Sequence, residues 1–296
     1  MTATRLAPAE WFPHGWEGIT ARRVTLPGGV TLRVVEAGPE NGLPVVLLHG
    51  WGVSAYLWRH TLRGLAAAGY RCYAPDLPGH GLSDAPSAKG AYSLGAFAGH
   101  IEALFDALGL DRPVVIAQSM GGRIAAELAV RGRSAQLGLF GAVGFGQVTP
   151  VAAYAPFIPE IVPAIVGDLA PALVTRQMVE MVQRRVHGKL GWFTARDVDE
   201  YWAPTQFPAT VRAQLQMLRE FPWEPLSPAM AGALGVETLV VFGTADRTVR
   251  PRDTAAIVTG LPAGRLEWVE GGGHVVMEEV PDRVNSMLVE FLGSRR

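Results

Sequence analysis

The chain has 296 residues, 49% hydrophobic and 18% charged, and its 26 Lys and Arg against 27 Asp and Glu leave a formal net charge of -1. That length is enough for one large core burying about 75% of the unfolded surface, and the balanced charge offers neither a basic surface for nucleic acid nor an acidic tail. The 35 glycines and 22 prolines suit a turn-rich α/β fold and fall short of a low-complexity composition.

The opening run MTATRLAPAEWFPHG carries only Arg5 as an early positive charge and lacks the apolar stretch of a secretory leader, so a cytoplasmic location is expected. Residues 22–26 and 31–36 alternate on either side of Pro27-Gly28-Gly29, which predicts an antiparallel hairpin. Apolar runs at 45–48, 71–75, 114–117, 137–143 and 238–242 then predict strands covered on both faces, with a further strand at 266–269. Helical spacing separates them at 57–68, 94–108, 120–130, 251–259 and 281–291. Cys72, the single cysteine, has no disulfide partner and reads as a small buried hydrophobe. The longest uncharged stretch, 134–159, contains Pro150, Pro156 and Pro159 with Gln136 and Gln147, so no membrane-spanning helix is expected there.

Between residues 144 and 231 the alternation lapses. A structureless loop of that length is improbable inside a compact domain, so the segment is expected to be a helical cap inserted into a core made of 1–143 and 232–296. Its aromatics, Tyr154, Phe157, Trp192, Phe193, Tyr201, Trp202, Phe207 and Trp223, fill a small cap core, and Trp192 and Trp202, with Trp51, are candidates for lining a substrate pocket. Helical spacing is clearest at 174–186 and 208–219.

Four signals carry chemistry. Residues 114–128 read as an apolar strand, a turn centred on Ser119 and a helix, which presents a serine hydroxyl at the carboxyl edge of a sheet; the plainer alternative is a serine capping an ordinary helix. The run Leu47-Leu48-His49-Gly50-Trp51-Gly52 follows a strand and makes the Trp51 backbone N–H a partner for that of Met120 in an oxyanion hole, unless its glycines merely form a turn. Glu270-Gly271-Gly272-Gly273-His274 places a histidine in a flexible loop, and Asp246 ends the strand-like run from Val240, where it is a carboxylate partner or only a turn-former. Their order, Ser119…Asp246…His274, is nucleophile–acid–base.

With that order the chain resembles the α/β-hydrolase fold superfamily over roughly residues 20–295, and within it a serine carboxylesterase-like member with a helical cap. The resemblance implies a mostly parallel central sheet flanked by helices, and a catalytic triad of Ser119, Asp246 and His274. It also makes Asp76 and Asp84, in Asp76-Leu77-Pro78-Gly79-His80-Gly81-Leu82-Ser83-Asp84, structural and not catalytic. Two positions depart from the pattern: Ala117 stands where glycine is usual and Gln118 where histidine is common. The expected activity is hydrolysis of small to medium carboxylic esters through an acyl-enzyme, with no cofactor, no metal, no nucleic-acid partner and no stable membrane insertion. Alternatives on the same triad are C–C bond hydrolysis and cofactor-free perhydrolysis of the haloperoxidase type; a silent small-molecule receptor is the non-enzymatic one. Dehalogenation and epoxide opening in this fold resemble reactions with an aspartate nucleophile. No dinucleotide or P-loop glycine motif and no H-E-x-x-H is present.

Overall fold

The computed structural model describes residues 4–148 and 161–293. Its strands, in chain order, are β1 (Ile19–Thr25), β2 (Thr31–Ala37), β3 (Pro44–Leu48), β4 (Arg71–Pro75), β5 (Val114–Gln118), β6 (Gln136–Phe140), β7 (Gln147–Val148), β8 (Glu237–Gly243), β9 (Val249–Arg250) and β10 (Gly264–Val269). Eight of them form one sheet in the order β1-β2-β4-β3-β5-β6-β8-β10, and β7 pairs with β9 apart from it. The hairpin β1–β2 and the pair β2–β4 are antiparallel; every other neighbour in the large sheet is parallel.

The continuous apolar runs become the central strands because side chains on both faces are buried. Val46, Leu48, Val115, Ala117, Leu137 and Val240 pack on one face, while Val45, Leu47, Val114, Ile116, Leu239 and Val241 pack on the other. Helices cover both. On the first face lie α2 (Leu94–Leu108), through Phe97, Ile101 and Phe105, and α3 (Met120–Val130), through Ile124 and Leu128. On the second lies α1 (Arg59–Ala67), through Leu62 and Leu65.

Between β6 and β8 come α4 (Ile161–Leu173), α5 (Arg176–Val186), α6 (Ala195–Trp202), α7 (Pro208–Glu220) and α8 (Pro228–Gly232). Thr175 caps α5 through Met178 N–H, and Thr194 with Asp197 forms a capping box on α6. Tyr154 and Phe157 lie outside the described residues, as does the second half of the uncharged stretch. Among the described residues no helix is long and apolar enough to cross a membrane. The chain closes with α9 (Thr254–Thr259), α10 (Val276–Glu279) and α11 (Pro281–Gly293), the last packing Val284 and Leu288 beside α1 on the second face.

Buried charge fastens α6 to the sheet side. Arg59 meets Asp197 at 2.9 Å and also pairs with Glu278, the Tyr56 hydroxyl donates to Asp197 and the Tyr201 hydroxyl donates to Glu278. Residues 5–12 make a second attachment: Arg5 donates to the carbonyls of Pro171 and Val174, Phe12 N–H donates to Glu200, and Arg33 donates to the Phe12 carbonyl.

Three boundaries differ from expectation, each for a local reason. The strand expected to run to residue 143 stops at Phe140 because Gly141 turns the chain at φ +50°. Residues 55–58 form a 3-10 turn started by the Ser54 side chain, so α1 begins at Arg59. Asp253, at φ +63°, delays α9 to Thr254.

Candidate active site

Strand β5 is buried along its length and ends at Gln118; α3 begins at Met120. Ser119 between them has φ +53° and ψ -120°, a region non-glycine residues occupy only when the surroundings hold them. The surroundings here are explicit. Ser119 N–H donates to Phe140 O at 3.0 Å, and its carbonyl accepts from Gly122 and Val143 N–H, each at 2.9 Å. Ala117, the departure from glycine, is fully buried in the core, where its methyl is ordinary packing.

Asp246 follows the end of β8. Its Oδ2 accepts from His274 Nδ1 at 2.7 Å, and its Oδ1 accepts from the Thr248 and Val249 amides at 2.8 and 3.0 Å. With Nδ1–H given to the carboxylate, His274 keeps Nε2 as an acceptor. Gly141 packs under this pair: a Cβ at that position would stand 2.9 Å from His274 Nδ1 and 3.1 Å from Asp246 Oδ2.

The end of β3 passes equally close to the serine. A Cβ on Gly50 would stand 2.8 Å from Ser119 Cβ and 3.3 Å from its Oγ, so the Trp51 loop approaches Ser119 only because residue 50 has no side chain. Among the described residues neither the Trp51 nor the Met120 amide N–H has a protein acceptor, and the Met120 amide stands at the positive end of α3. Ser119, Trp51 and Met120 thus meet where β3 and β5 end, and Asp246 pairs with His274 in the loops that follow β8 and β10. Trp192 is 64% exposed and stacks on Phe193, while Trp202 is buried, donates from its indole to Val174 O and lies under the Arg5 guanidinium.

Several supporting groups have no signature in the sequence. Gln118 Nε2 donates to the His274 carbonyl at 3.2 Å, so the residue that departs from the family's histidine ties the serine strand to the histidine loop. His274 N–H donates to Val186 O at the end of α5. The Trp51 indole donates to Gln214 O in α7. Glu279 accepts from Gly273 N–H and from Gly188 N–H, bridging the histidine loop to the loop after α5; burial raises its pKa, and these two bonds partly offset that. The adjacent glutamates 278 and 279, four and five residues past His274, were the one visible hint.

Asp76 occupies a different role. It is fully buried, accepting from Arg33 Nε at 2.6 Å and from the Ala55 and Leu82 amides at 2.8 and 2.9 Å. Burial alone would raise its pKa, but the charge and hydrogen bond of Arg33 hold it below the usual carboxylate range. His49 and His80 pack edge to face beside it, with ring centroids 4.9 Å apart. His80 Nδ1–H donates to Pro78 O and its Nε2 accepts from Gly52 N–H; burial, then the neighbouring His49, pushes its pKa down to about 3.

That depression has a sign. The folded chain binds fewer protons at His80 than the unfolded chain between pH 3 and the unperturbed value of 6.5, so stability rises with pH across that window and is lost as pH falls below 6.5. The expected slope for His80 alone is about 1.4 kcal/mol per pH unit. Glu200 and Glu279, raised by burial, act in the opposite sense, so the measurement is a difference. Urea unfolding of wild type and His80→Asn between about pH 5 and 6.5 should give a steeper rise for wild type; parallel curves would mean His80 is not held neutral.

The comparisons with known proteins bear on the fold and the family. A family model described as "Alpha/beta hydrolase family" matches residues 45–287. Epoxide hydrolase A of Mycobacterium tuberculosis is 30% identical across 93% of this chain and 98% of its own length. The magnesium-chelatase 30 kDa subunit of Rhodobacter capsulatus is 31% identical across 97% of this chain and 98% of its own length. Among solved structures, CarC, a serine hydrolase involved in carbazole degradation, superposes with a TM-score of 0.76 at 23% identity, covering 94% of this chain and all of that one. The chain belongs to the alpha/beta hydrolase family.

Proposed function

We propose that this chain is a serine hydrolase of carboxylic esters that works through an acyl-enzyme on Ser119. The observation that carries the reading is the 2.7 Å bond from His274 Nδ1 to Asp246 Oδ2 beside a serine held at φ +53°. His274 Nε2 takes the Ser119 proton as Oγ attacks the ester carbonyl, and Asp246 stabilises the imidazolium that results. The Trp51 and Met120 amides hold the oxyanion. The imidazolium then protonates the departing alcohol, and water, deprotonated by the same histidine, releases the acid from Ser119. No step calls for a cofactor. One relative is named an epoxide hydrolase, but epoxide opening in this fold resembles chemistry with an aspartate nucleophile, and here the turn carries serine.

The helices between β6 and β8 act as a cap in this reading. Support comes from their contacts with the site loops: Val186 on His274, Gly188 on Glu279 and Gln214 on the Trp51 indole. A covered pocket of ordinary size favours short acyl chains, since each methylene contributes about 0.8 kcal/mol until the wall is reached and then causes strain. The substrate is accordingly a small-molecule ester. Across p-nitrophenyl esters of increasing acyl length, kcat/KM should be highest for short chains and decline for long ones, with no rise at an oil–water interface. An amide and a vinylogous C–C substrate assayed alongside should be turned over far more slowly. A preference for long-chain emulsions, or for the C–C substrate, would overturn the ester reading. A silent receptor would leave Ser119 unlabelled by a fluorophosphonate.

A further inference from the structure

Helix α3 carries a charge that the chemistry above does not use. Arg123, four residues past Ser119, is only 5% exposed, and among the described residues its Nε and Nη1 are buried with no hydrogen-bond partner. Its side chain lies against Gly144 and Leu226, where the Leu226 amide donates to the Gly144 carbonyl and the chain heads back toward β8. Two buried guanidinium nitrogens without acceptors are unfavourable, because they have given up water and gained nothing in return. Glu127 and Glu224 lend Arg123 charge, and among the described residues no ion pair reaches it.

Arg123 is among the residues lining a cavity of about 130 Å³ between α2, α3 and residues 226–234. The floor is buried: Ala126, Leu226 and Leu234 are 3%, 6% and 2% exposed. The rim is open: Val130 and Met230 are 53% and 46% exposed. An occupant therefore enters between two aliphatic side chains, and Arg123 is the single cationic residue of the lining, with Glu127 also on the wall. That carboxylate repels a dianion, and the aliphatic lining gives a fully hydrated anion nothing to replace its water with.

We infer that this cavity is a binding site for a short aliphatic monocarboxylate, its headgroup on Arg123 and its tail between Val130 and Met230. The chemical class is that of the acid released by the reaction proposed above, yet the site needs no turnover and stands whether or not the ester reading does. It is also separate from Ser119, since it opens on the flank of α3 and not at the carboxyl edge of the sheet.

The test is calorimetric titration of the full chain with hexanoate, with hexan-1-ol and inorganic phosphate as controls. Hexanoate should bind wild type, and neither control should. Arg123→Leu should weaken hexanoate at least about tenfold, whereas Glu127→Gln should tighten it by removing the like charge. Because Arg123→Leu also changes the wall, Met230→Trp serves as a second variant: it narrows the rim, leaves the cation in place and should weaken binding comparably. Hexanoate binding that is equal in wild type, Arg123→Leu and Met230→Trp would place the acid elsewhere and overturn the inference. Equal binding of hexan-1-ol would reduce the site to an apolar slot, and equal binding of phosphate to a bare anion site; absence of hexanoate binding would remove it altogether.

Discussion

Ser119→Ala is expected to lower kcat by a factor on the order of 10⁶, the loss measured when the nucleophile of a subtilisin-type triad is removed. Structure should survive the change. What holds the strand-to-helix turn is the Ser119 backbone, through Phe140, Gly122 and Val143, and none of those bonds involves Oγ. Steady-state kinetics on a short p-nitrophenyl ester, with circular dichroism and a melting curve on the same sample, separates loss of chemistry from loss of fold. Activity above a few per cent of wild type, in protein free of contaminating esterase, would mean that the nucleophile is another residue.

Asp246→Asn should lower kcat by roughly 10⁴, as expected when the histidine is left in the wrong tautomer. The geometry explains why an amide fails here. Both Asp246 oxygens accept, one from His274 and the other from two backbone amides. An asparagine must aim its NH2 at one side or the other, either facing Nδ1–H or pushing away the Thr248–Val249 turn. Asp76→Asn is the contrast. It leaves the Arg33 guanidinium, only 7% exposed, without its charge partner, and breaking a buried pair of that kind costs about 3–5 kcal/mol. Its expected phenotype is a lower melting temperature and poor yield, with near-normal kcat for the fraction that folds. If the two phenotypes were exchanged, Asp76 would be the acid and Asp246 the anchor.

The sequence made the central strands legible because burial on both faces leaves an apolar run with no alternation to interpret; β3, β4, β5 and β8 emerge within one or two residues of expectation. The triad candidates were legible for a different reason, namely that each sits in the turn or loop that follows a strand and their order along the chain is itself informative. What escaped was either locally contradictory or remote. Helix α4 carries Pro163 and Pro171, which read as breakers, and α6 has only eight residues, too few for its period to stand out. Gln118 reaching the His274 carbonyl, Glu279 bridging Gly188 and Gly273, and Trp51 reaching Gln214 join positions 85 to 163 residues apart or lie on a return of the chain. No local pattern encodes such meetings. Trp202, one of three tryptophans named for the pocket with Trp51 and Trp192, shows what composition leaves open: an aromatic side chain signals packing, and only the fold decides against what. Trp202 packs against Arg5.

The attachment of residues 5–12 bears on the timing of folding. Arg5 meets Pro171 and Thr205, 166 and 200 positions further along, and Phe12 meets Glu200, 188 positions further along. At synthesis rates of about 5–20 residues per second, those partners follow by roughly 10–40 s. Strands β1 and β2 are near neighbours and close as a hairpin early, and Phe12 finds Trp16 and Tyr56 soon after, but Trp11, 3% exposed in the finished fold, meets its ring partner Phe207 only much later. Trp11 is apolar surface that a growing chain shows to chaperones until the helices at its middle arrive.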